Sequence, residues 1–330
     1  MSKASILRWG ILGTGWIADR FADDVRRLPD HRLAAVGSRN ASTARTFAAQ
    51  FGIPRAHASY EELASDPEID AVYVASPHPW HHPHTLLALH AGKHVLVEKP
   101  FAMNAREAEE MTALARRKGL FLLEAMWTRF LPHVAALRER LASGTLGRLV
   151  SVQADHGQWF AENASHRLYA PELGGGALLD LGIYPVSFAS MVLGTPSRIT
   201  AVSDKAFTGV DGQTSAVLQY ASGAHAVLTT TLGAASPTRA AVVGSEARVE
   251  IDRMFFVPSA FTVIHRDGRV LERFENTYQG NGLREQAAEL GRGVAAGLTE
   301  SPVLPLDETV AIMRTMDEIR RQIGLTYAGT

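Results

Sequence analysis

Two patterns of apolar and polar residues divide the chain near residue 125. In the first part, short apolar runs without alternation are separated by amphipathic segments of helical spacing, as in a parallel sheet that helices cover on both faces. The runs predict strands over residues 6–12, 33–38, 71–76, 95–98 and 120–124, and the segments predict helices over residues 16–28, 41–51, 84–91 and 105–118. Residues 1–125 are therefore predicted to form a doubly wound α/β domain with a parallel sheet.

The second part, residues 126–330, changes to short strands separated by turns that contain Gly or Pro. The predicted strands cover residues 149–156, 199–207, 215–220, 226–232, 240–243, 248–251, 262–265 and 270–274, and the predicted helices cover 177–193, 283–296 and 307–323. We expect an α+β domain with a large, mostly antiparallel open sheet and a C-terminal helix that packs back on the first domain. Because an open sheet needs cover on its second face, a homodimer through this sheet is expected.

Composition and charge exclude several classes of function. A formal net charge of -1 over 330 residues favours neither nucleic acid nor an anionic membrane as a partner, and the absence of cysteine excludes disulfides, thiolate nucleophiles and cysteine-ligated metals. The N-terminus lacks the long apolar stretch of a signal peptide, and no uncharged apolar segment is expected to span a bilayer. We therefore expect a cytoplasmic protein that acts on a small molecule.

A glycine fingerprint follows the first predicted strand. Gly13 permits a tight turn, Gly15 lets the backbone approach a pyrophosphate, and Ala18 is small enough for close packing of the next helix. The N–H groups at the start of that helix then bind phosphate, which predicts a dinucleotide-binding Rossmann domain. The alternative is a strand–turn–helix whose glycines serve geometry alone. The residues of this turn expected at the cofactor are Gly13, Thr14, Gly15, Trp16 and Ile17.

The end of the second predicted strand favours NADP over NAD. An NAD site usually offers Asp or Glu there to the ribose 2′-OH, whereas Ser38 and Arg39 occupy this place in the chain. A serine hydroxyl and a guanidinium can hydrogen-bond and neutralise a 2′-phosphate. The alternative is that Arg39 is an ordinary solvated surface residue.

A lysine follows the strand predicted over residues 95–98, at the edge where open α/β sheets form their ligand crevice. Glu98 and Lys99 precede Pro100, which favours extended geometry for the lysine and stops a helix from starting there. We therefore predict that Lys99 projects into the crevice as part of an acid/base group, with both Glu98 and Lys99 beside the cofactor. The alternative is a strand-end lysine that reaches water.

An aspartate and a tyrosine in the second part form another candidate for acid/base chemistry. Asp180 and Tyr184 are spaced i, i+4 in a predicted helix that follows three glycines, and this spacing places both on one face. A phenol is a poor base at neutral pH, but a nearby ammonium group lowers its pKa. The alternative is a buried tyrosine that bonds Asp180 for structure alone.

The histidine-rich segment 78–84 is the feature that first suggests a metal. Pro79 and Pro83 oppose the helical spacing that would aim several imidazoles at one ion, and the segment contains no carboxylate, so we expect no metal site. Since the segment follows a predicted strand, it should border the nicotinamide, where His81 would orient substrate. The residues expected there are Ser76, His78 and His81.

Aromatic and arginine side chains mark candidate contacts to the substrate. Trp127 and Arg129 lie at the join of the two predicted domains, where such residues either line a pocket or pack an interface. Both interpretations stay open from the residues alone. The predicted substrate-binding residues are Trp127, Arg129, Phe160 and Tyr278.

Over essentially its whole length, the chain resembles the glucose–fructose oxidoreductase, inositol dehydrogenase and rhizopine catabolism (Gfo/Idh/MocA) family. Within the family it is most similar to the branch of dimeric dihydrodiol dehydrogenase and NADP-dependent D-xylose 1-dehydrogenase. The family resemblance rests on residues 13–18, 76–81, 91–95, 98–100 and 174–180, and the branch resemblance rests on residues 124–130 and 180–185.

The resemblance implies a Rossmann domain, a C-terminal sheet domain that dimerises, and hydride transfer with a nicotinamide cofactor. It also implies that Lys99 is catalytic, that Tyr184 is the acid/base and that Asp180 assists one turn earlier. Tyr184 stands where inositol dehydrogenases carry histidine, which argues against an inositol-type substrate.

We therefore expect an NADP-dependent oxidoreductase that acts on a sugar or cyclic polyol, such as an aldose at C1 or a trans-dihydrodiol. The alternatives are a non-catalytic NADP-binding regulatory protein of the same fold, an enzyme that exchanges hydride between two sugars, and an inositol-type dehydrogenase.

Overall fold

The computed structural model describes residues 6–327, which form two compact units. The first unit contains the chain up to Phe130 and the segment Gln279–Val310, and the second contains Leu131–Tyr278 and the chain from Ala311 onward. Two stretches of sequence therefore contribute to each unit.

A buried aspartate explains why the chain returns to the first unit. Asp24 is fully buried, and its carboxylate accepts hydrogen bonds from the backbone N–H groups of Asn281 (2.9 Å) and Leu283 (2.8 Å). Such bonds are what makes a buried carboxylate tolerable. The structure thus corrects the predicted domain boundary, because residues 279–310 belong with the first unit and not with an uninterrupted second domain over residues 126–330.

The first unit is built on a six-stranded parallel sheet with the strand order β3-β2-β1-β4-β5-β6. This confirms the predicted doubly wound α/β domain. The central strands are buried almost throughout, as strands covered by helices on both faces must be. The strands are β1 (Leu7–Leu12), β2 (His31–Gly37), β3 (Arg55–His57), β4 (Ala71–Val74), β5 (His94–Glu98) and β6 (Leu122–Ala125).

Nine α-helices lie in the described residues 6–327, and side-chain caps define the start of several. The Asn104 side chain accepts a hydrogen bond from Glu107 N at 2.9 Å, which confirms the predicted cap of α5. Asn40 caps α2 in the same way. The helices are α1 (Trp16–Val25), α2 (Ala41–Phe51), α3 (Tyr60–Ser65), α4 (His81–His90), α5 (Ala105–Lys118), α6 (Pro132–Ala142), α7 (Ile183–Leu193), α8 (Arg284–Ala295) and α9 (Leu306–Gln322).

The histidine-rich segment is helical, which corrects the expectation that its prolines exclude a helix. His78–Trp80 forms a 3₁₀ turn and α4 begins directly after it, at His81. Pro79 and Pro83 fall within the first turns of these two helices. The N–H groups of a first turn have no intrahelical acceptor, so proline costs little there.

The second unit contains an eight-stranded sheet with the order β14-β13-β12-β11-β7-β10-β9-β8. Only β7 and β10 pair in parallel, so the predicted, mostly antiparallel sheet is confirmed. The turns predicted at residues 220–223 and 266–268 connect β9 to β10 and β13 to β14. The strands are β7 (Leu149–Gly157), β8 (Arg198–Lys205), β9 (Asp211–Gln219), β10 (His225–Thr231), β11 (Ala240–Gly244), β12 (Ala247–Ile251), β13 (Phe261–His265) and β14 (Val270–Phe274).

The most apolar helical stretch of the described chain is Pro171–Leu193. It is long and apolar enough to cross a membrane by length and composition alone, although it contains Glu172 and Asp180 and so is not the uncharged segment that the expectation concerns. In the structure, 78% of its most apolar 18 residues are buried inside the protein, as in the core helix of a globular unit. It contains a π-helical turn, Leu178–Gly182, followed by α7.

Candidate active site

The glycine turn after β1 has the geometry that the fingerprint predicts. Gly13 adopts a positive φ of 108°, and a Cβ built on it would lie 2.9 Å from the backbone oxygen of Ala75. A side chain at position 13 would therefore be strained by its own backbone and would collide with the segment after β4.

The start of α1 fits the pyrophosphate of a dinucleotide. Gly15 is the N-cap residue, so no side chain caps the helix from this position. A Cβ built on Gly15 would meet no atom within 4 Å, so the space in front of this turn is open to a ligand. Because the first N–H groups of a helix lack intrahelical acceptors and the helix dipole favours anions, Thr14, Gly15, Trp16 and Ile17 would hold a phosphate.

The carboxyl end of β2 carries a hydroxyl and a guanidinium and no acid. Ser38 is buried, and its Oγ accepts a hydrogen bond from Asn40 N at 3.3 Å. Arg39 is exposed. This donor set fits a phosphorylated ribose better than a free 2′-OH, since it contains no acceptor carboxylate.

The segment after β4 contains one orphaned polar atom and one heavily bonded histidine. Ser76 Oγ is buried and has no hydrogen-bond partner among the described residues. The His81 ring places Nδ1 2.7 Å from the Pro100 carbonyl oxygen and Nε2 2.8 Å from that of Ser76. Burial lowers the pKa of His81 to about 3. A neutral imidazole carries one N–H, so His81 donates to one of these two carbonyl oxygens and only contacts the other. His78 lies beside it, with ring centroids 5.7 Å apart.

The lysine at the end of β5 is held by its neighbour in sequence. Lys99 N donates to Glu98 Oε2 at 3.3 Å, and Glu98 also accepts a hydrogen bond from the Tyr73 hydroxyl. The peptide between Lys99 and Pro100 is cis. These contacts place Lys99 at the carboxyl edge of the parallel sheet, the edge predicted to bind the cofactor.

The two candidate substrate residues in the first unit differ in their surroundings. Trp127 begins a 3₁₀ turn and is half-buried. Arg129 is only 2% exposed, and its Nη2 donates to Glu308 Oε1 at 2.5 Å. The structure therefore gives Arg129 an interior ion pair, and substrate binding by Trp127 and Arg129 stays a prediction.

In the second unit, the triple glycine lets the chain pack closely before the helix that carries Asp180 and Tyr184. A Cβ on Gly175 would lie 2.7 Å from the Leu168 oxygen, and one on Gly176, whose φ is 114°, would lie 2.0 Å from Asp211 Oδ1. Asp211 Oδ2 in turn accepts a hydrogen bond from Leu178 N at 2.7 Å. The buried Asp211 thus caps the π-helical turn, a distortion that is frequent at functional sites.

Asp180 is 5% exposed and is bonded by an arginine that the sequence analysis did not single out. Arg167 Nη1 and Nη2 donate to the two oxygens of Asp180 at 3.0 and 3.2 Å. This two-point contact holds the carboxylate in one orientation. Positioning of the acid/base by Asp180 stays a prediction.

Tyr184 lies among two other rings of the second unit and is 6% exposed. Its ring centroid lies 5.3 Å from that of His156 and 4.7 Å from that of Phe256. His156 also places Nδ1 3.2 Å from the Leu181 carbonyl oxygen, within the π-helical turn. Packing against His156 of β7 and against Phe256 therefore fixes the tyrosine ring. Its phenolic hydroxyl is the group available for proton transfer.

The remaining candidates of the second unit lie in loops. Phe160 packs against the buried cluster around Leu168 and Leu181, and its backbone oxygen accepts a hydrogen bond from Tyr169 OH at 3.0 Å. Tyr278 is half-buried, and its N–H donates to Asn276 Oδ1 at 3.0 Å. The structure brings Phe160 to the packing environment of the π-helical turn, and substrate binding by both residues stays a prediction.

Several residues of the site escaped the sequence analysis. Tyr73 and Glu124 are polar residues inside buried apolar strands. A polar residue within an apolar run can be recognised in the sequence, so both could have been identified as candidate site residues. Arg167, His156 and Phe256 lie in segments where no local pattern marks them.

Family comparisons agree with this geometry. Residues 7–125 match the family described as an oxidoreductase family with an NAD-binding Rossmann fold, and residues 134–250 match the GFO/IDH/MocA C-terminal domain. Trans-1,2-dihydrobenzene-1,2-diol dehydrogenase of Mus musculus is 40% identical over 331 residues, which cover 97% of this chain and 98% of the relative.

Solved structures share the whole architecture. KijD10, a 3-ketoreductase from Actinomadura kijaniata in complex with NADP and TDP-benzene, matches with a TM-score of 0.85 at 27% identity over 96% of this chain and 98% of its own. Aldose-aldose oxidoreductase from Caulobacter crescentus, complexed with glycerol, matches with a TM-score of 0.86 at 28% identity over 96% of this chain and 97% of its own. The protein therefore belongs to the Gfo/Idh/MocA family of oxidoreductases.

Proposed function

We propose that this protein is an NADP-dependent dehydrogenase that acts on a CH–OH group of a sugar or cyclic polyol, such as C1 of an aldose or a trans-dihydrodiol. The observation that carries the proposal is that the chain retains both Lys99, at the carboxyl edge of a dinucleotide-binding sheet, and Tyr184, buried between two rings of the second unit. A non-catalytic regulator would need neither. The dihydrodiol dehydrogenase and the aldose-aldose oxidoreductase among the relatives support the substrate class.

The choice of NADP rests on the end of β2. Ser38 and Arg39 offer donors and positive charge to a 2′-phosphate, and no carboxylate is present there to accept from a free 2′-OH. The complex of KijD10 with NADP supports the same choice.

The chemistry assigned to the side chains is proton transfer. The bound nicotinamide supplies the hydride acceptor, and loss of hydride from the CH–OH carbon leaves a hydroxyl proton to be removed. Tyr184 as phenolate takes that proton, and the Lys99 ammonium stabilises the phenolate and holds the substrate oxygen. Asp180 orients the pair. General acid/base assistance of this kind contributes about 10² to 10⁴ in rate.

The test is the rate of NADP⁺ reduction, followed by nicotinamide absorbance, with aldoses, inositols and trans-dihydrodiols as substrates and with NAD⁺ in parallel. Turnover of an aldose or a dihydrodiol with preference for NADP⁺ is expected. Turnover of inositols alone would replace the substrate class by the inositol type. Tight NADPH binding without turnover of any substrate would favour the non-catalytic regulator.

We also propose that two copies associate through the exposed face of the second sheet, in the cytoplasm. Val217 of β9 and Val227 of β10 are register partners, and both are exposed, as is Val202 of β8. Apolar side chains that adjoin on an open sheet favour burial against a second copy. Sedimentation of the wild type as a dimer and of a V217K/V227K variant as a monomer is expected, and a monomeric wild type would contradict the proposal.

A further inference from the structure

A side chain lies within hydrogen-bond distance of each polar atom of the peptide that joins Pro100 to Phe101. Its carbonyl oxygen lies 2.7 Å from Nδ1 of the buried His81 ring. Its N–H donates to Oε1 of Glu124 at 3.2 Å. Because a peptide group is planar, these two contacts fix the orientation of the backbone directly after Lys99.

The strand register brings Glu124 to this place. Val97 of β5 pairs with Glu124 of β6, and Glu98 pairs with Ala125, so the two carboxylates lie one register position apart near the carboxyl ends of adjacent strands. Glu98 holds the N–H of Lys99 on one side of the lysine, and Glu124 holds the N–H of Phe101 on the other.

A carboxyl group at position 124 is costly for the fold. Glu124 is fully buried, and its Oε2 has no hydrogen-bond partner among the described residues. Burial raises the pKa of Glu124 to about 7, with Glu308 and Glu98 acting in the same direction and Arg129 against it. A buried polar atom without a hydrogen-bond partner costs free energy, so the unbonded Oε2 makes stability a poor explanation for a carboxyl group at this position.

We propose that Glu124 is a positioning residue for Lys99, which it acts on by fixing the peptide between Pro100 and Phe101. The inference rests on the proposed function, because the orientation of Lys99 affects turnover only if Lys99 contacts the substrate. Without Glu124, the Phe101 N–H loses this acceptor, and the backbone that orients Lys99 is held less firmly.

The first test compares Glu124→Leu with Glu124→Gln. Leucine removes the acceptor, whereas the glutamine amide keeps an oxygen for Phe101 N–H. Since misplacement of a catalytic group by about 1 Å can cost about 10²-fold, we expect kcat to fall about 10- to 100-fold in E124L and less than about 5-fold in E124Q. The dissociation constant of NADPH should change by less than about twofold in both, because neither touches the phosphate-binding turn.

A matched control removes another buried carboxylate of the first unit. Glu289 of α8 accepts a hydrogen bond from Ser301 Oγ at 2.5 Å. Ser301 lies near Thr299, whose oxygen bonds Leu122 N at the amino end of β6, the edge of the sheet opposite to Lys99. Glu289→Leu is expected to lower the melting temperature and to leave kcat within about twofold of the wild type.

Two further measurements separate this inference from the proposed function. In a Lys99→Met background, E124L should lower kcat by less than about twofold more, because a residue that acts through Lys99 has nothing left to position. Hydrogen exchange of the Phe101 amide should be faster in E124L than in the wild type and unchanged in E289L, whether or not a substrate is known.

Wild-type kcat in E124L together with impaired K99M would overturn the inference and leave the proposed function intact. A full further loss from E124L in the K99M background would overturn it as well, as would unchanged exchange of the Phe101 amide. Wild-type kcat in K99M would refute the proposed role of Lys99 and, with it, this inference.

Discussion

Arg167 bonds both carboxylate oxygens of Asp180, at 3.0 and 3.2 Å, so the buried aspartate one turn before Tyr184 is held by a side chain of a 3₁₀ turn thirteen residues upstream. The Asp180 side chain is 6% exposed and that of Arg167 is 52% exposed. The arginine therefore closes over the carboxylate from the solvent side, and the orientation of Asp180 depends on a residue that the solvent can reach.

Arg167→Met is expected to lower kcat because it leaves Asp180 buried without this partner. A loss of about tenfold and a decrease in unfolding free energy of about 1 kcal/mol are expected, the latter small because Arg167 is half exposed and well screened. Arg167→Lys keeps the charge and one donor group. Its kcat should therefore lie between that of the wild type and that of R167M. Equal kcat in wild type and R167M would show that Asp180 needs no fixed orientation.

Tyr184→Phe is expected to lower kcat about 10²- to 10⁴-fold while NADPH binding stays nearly unchanged. His156 and Phe256 pack against the ring, so phenylalanine should occupy the same place and the loss should reflect removal of the hydroxyl. Steady-state kinetics and NADPH fluorescence titration measure the two quantities. Wild-type turnover in Y184F would remove this residue from the mechanism.

Arg39→Ala is expected to weaken NADP⁺ binding about tenfold or more and to leave NAD⁺ binding within about twofold, since an arginine–phosphate contact is charge-assisted and NAD⁺ lacks the 2′-phosphate. Titration of both cofactors in high and low salt provides the comparison, with the preference fading as salt screens the charge. Equal weakening of both would mean that Arg39 does not contact the 2′-phosphate.

The sequence predicts the strands and turns that carry the site better than the side-chain contacts within the site. The strands that end at Glu98 and Ala125 follow from apolar runs, and the turn at Gly13 follows from its fingerprint. The three-residue β3 and the short α3 escape prediction because each is too short and too exposed to produce a periodic pattern. α6 escapes because the helix buries only His133, Val134 and Leu137, too few positions to mark an apolar face.

Contacts between distant segments are beyond a local pattern. The bond from Phe101 to Glu124 depends on the register of β5 with β6, and the pair of Arg167 with Asp180 depends on a loop conformation. Loop conformations follow from packing of the whole unit, so a single sequence does not contain a local signal for them.

Gly176→Ala is expected to destabilise the second unit more than a simple change of backbone preference would. Gly223 provides the matched control, because it also has a positive φ, 84°, and a Cβ there meets no atom within 4 Å, whereas a Cβ on Gly176 meets Asp211 Oδ1 at 2.0 Å. G223A should cost about 1–2 kcal/mol, and G176A clearly more, with a loss of turnover because Asp211 caps the turn that carries Asp180. Equal melting temperatures of the two variants would contradict this account.

Asp211→Asn is expected to change how the stability of the protein depends on pH. Burial raises the pKa of Asp211 to about 7, above the value near 4 of an unfolded aspartate, so between these values the folded protein binds a proton that the unfolded chain has released. The contribution of Asp211 is therefore most favourable at low pH, declines as the pH rises from about 4 to about 7, and is constant above that.

The asparagine variant keeps an oxygen for Leu178 N and does not titrate. Melting temperatures at pH 5, 6, 7 and 8 should show the wild type losing stability relative to D211N up to about pH 7, with other buried acids such as Glu124 cancelling because both proteins contain them. Parallel curves would mean that Asp211 is ionised in the folded protein across this range, and that its carboxylate caps the π-helical turn as an anion.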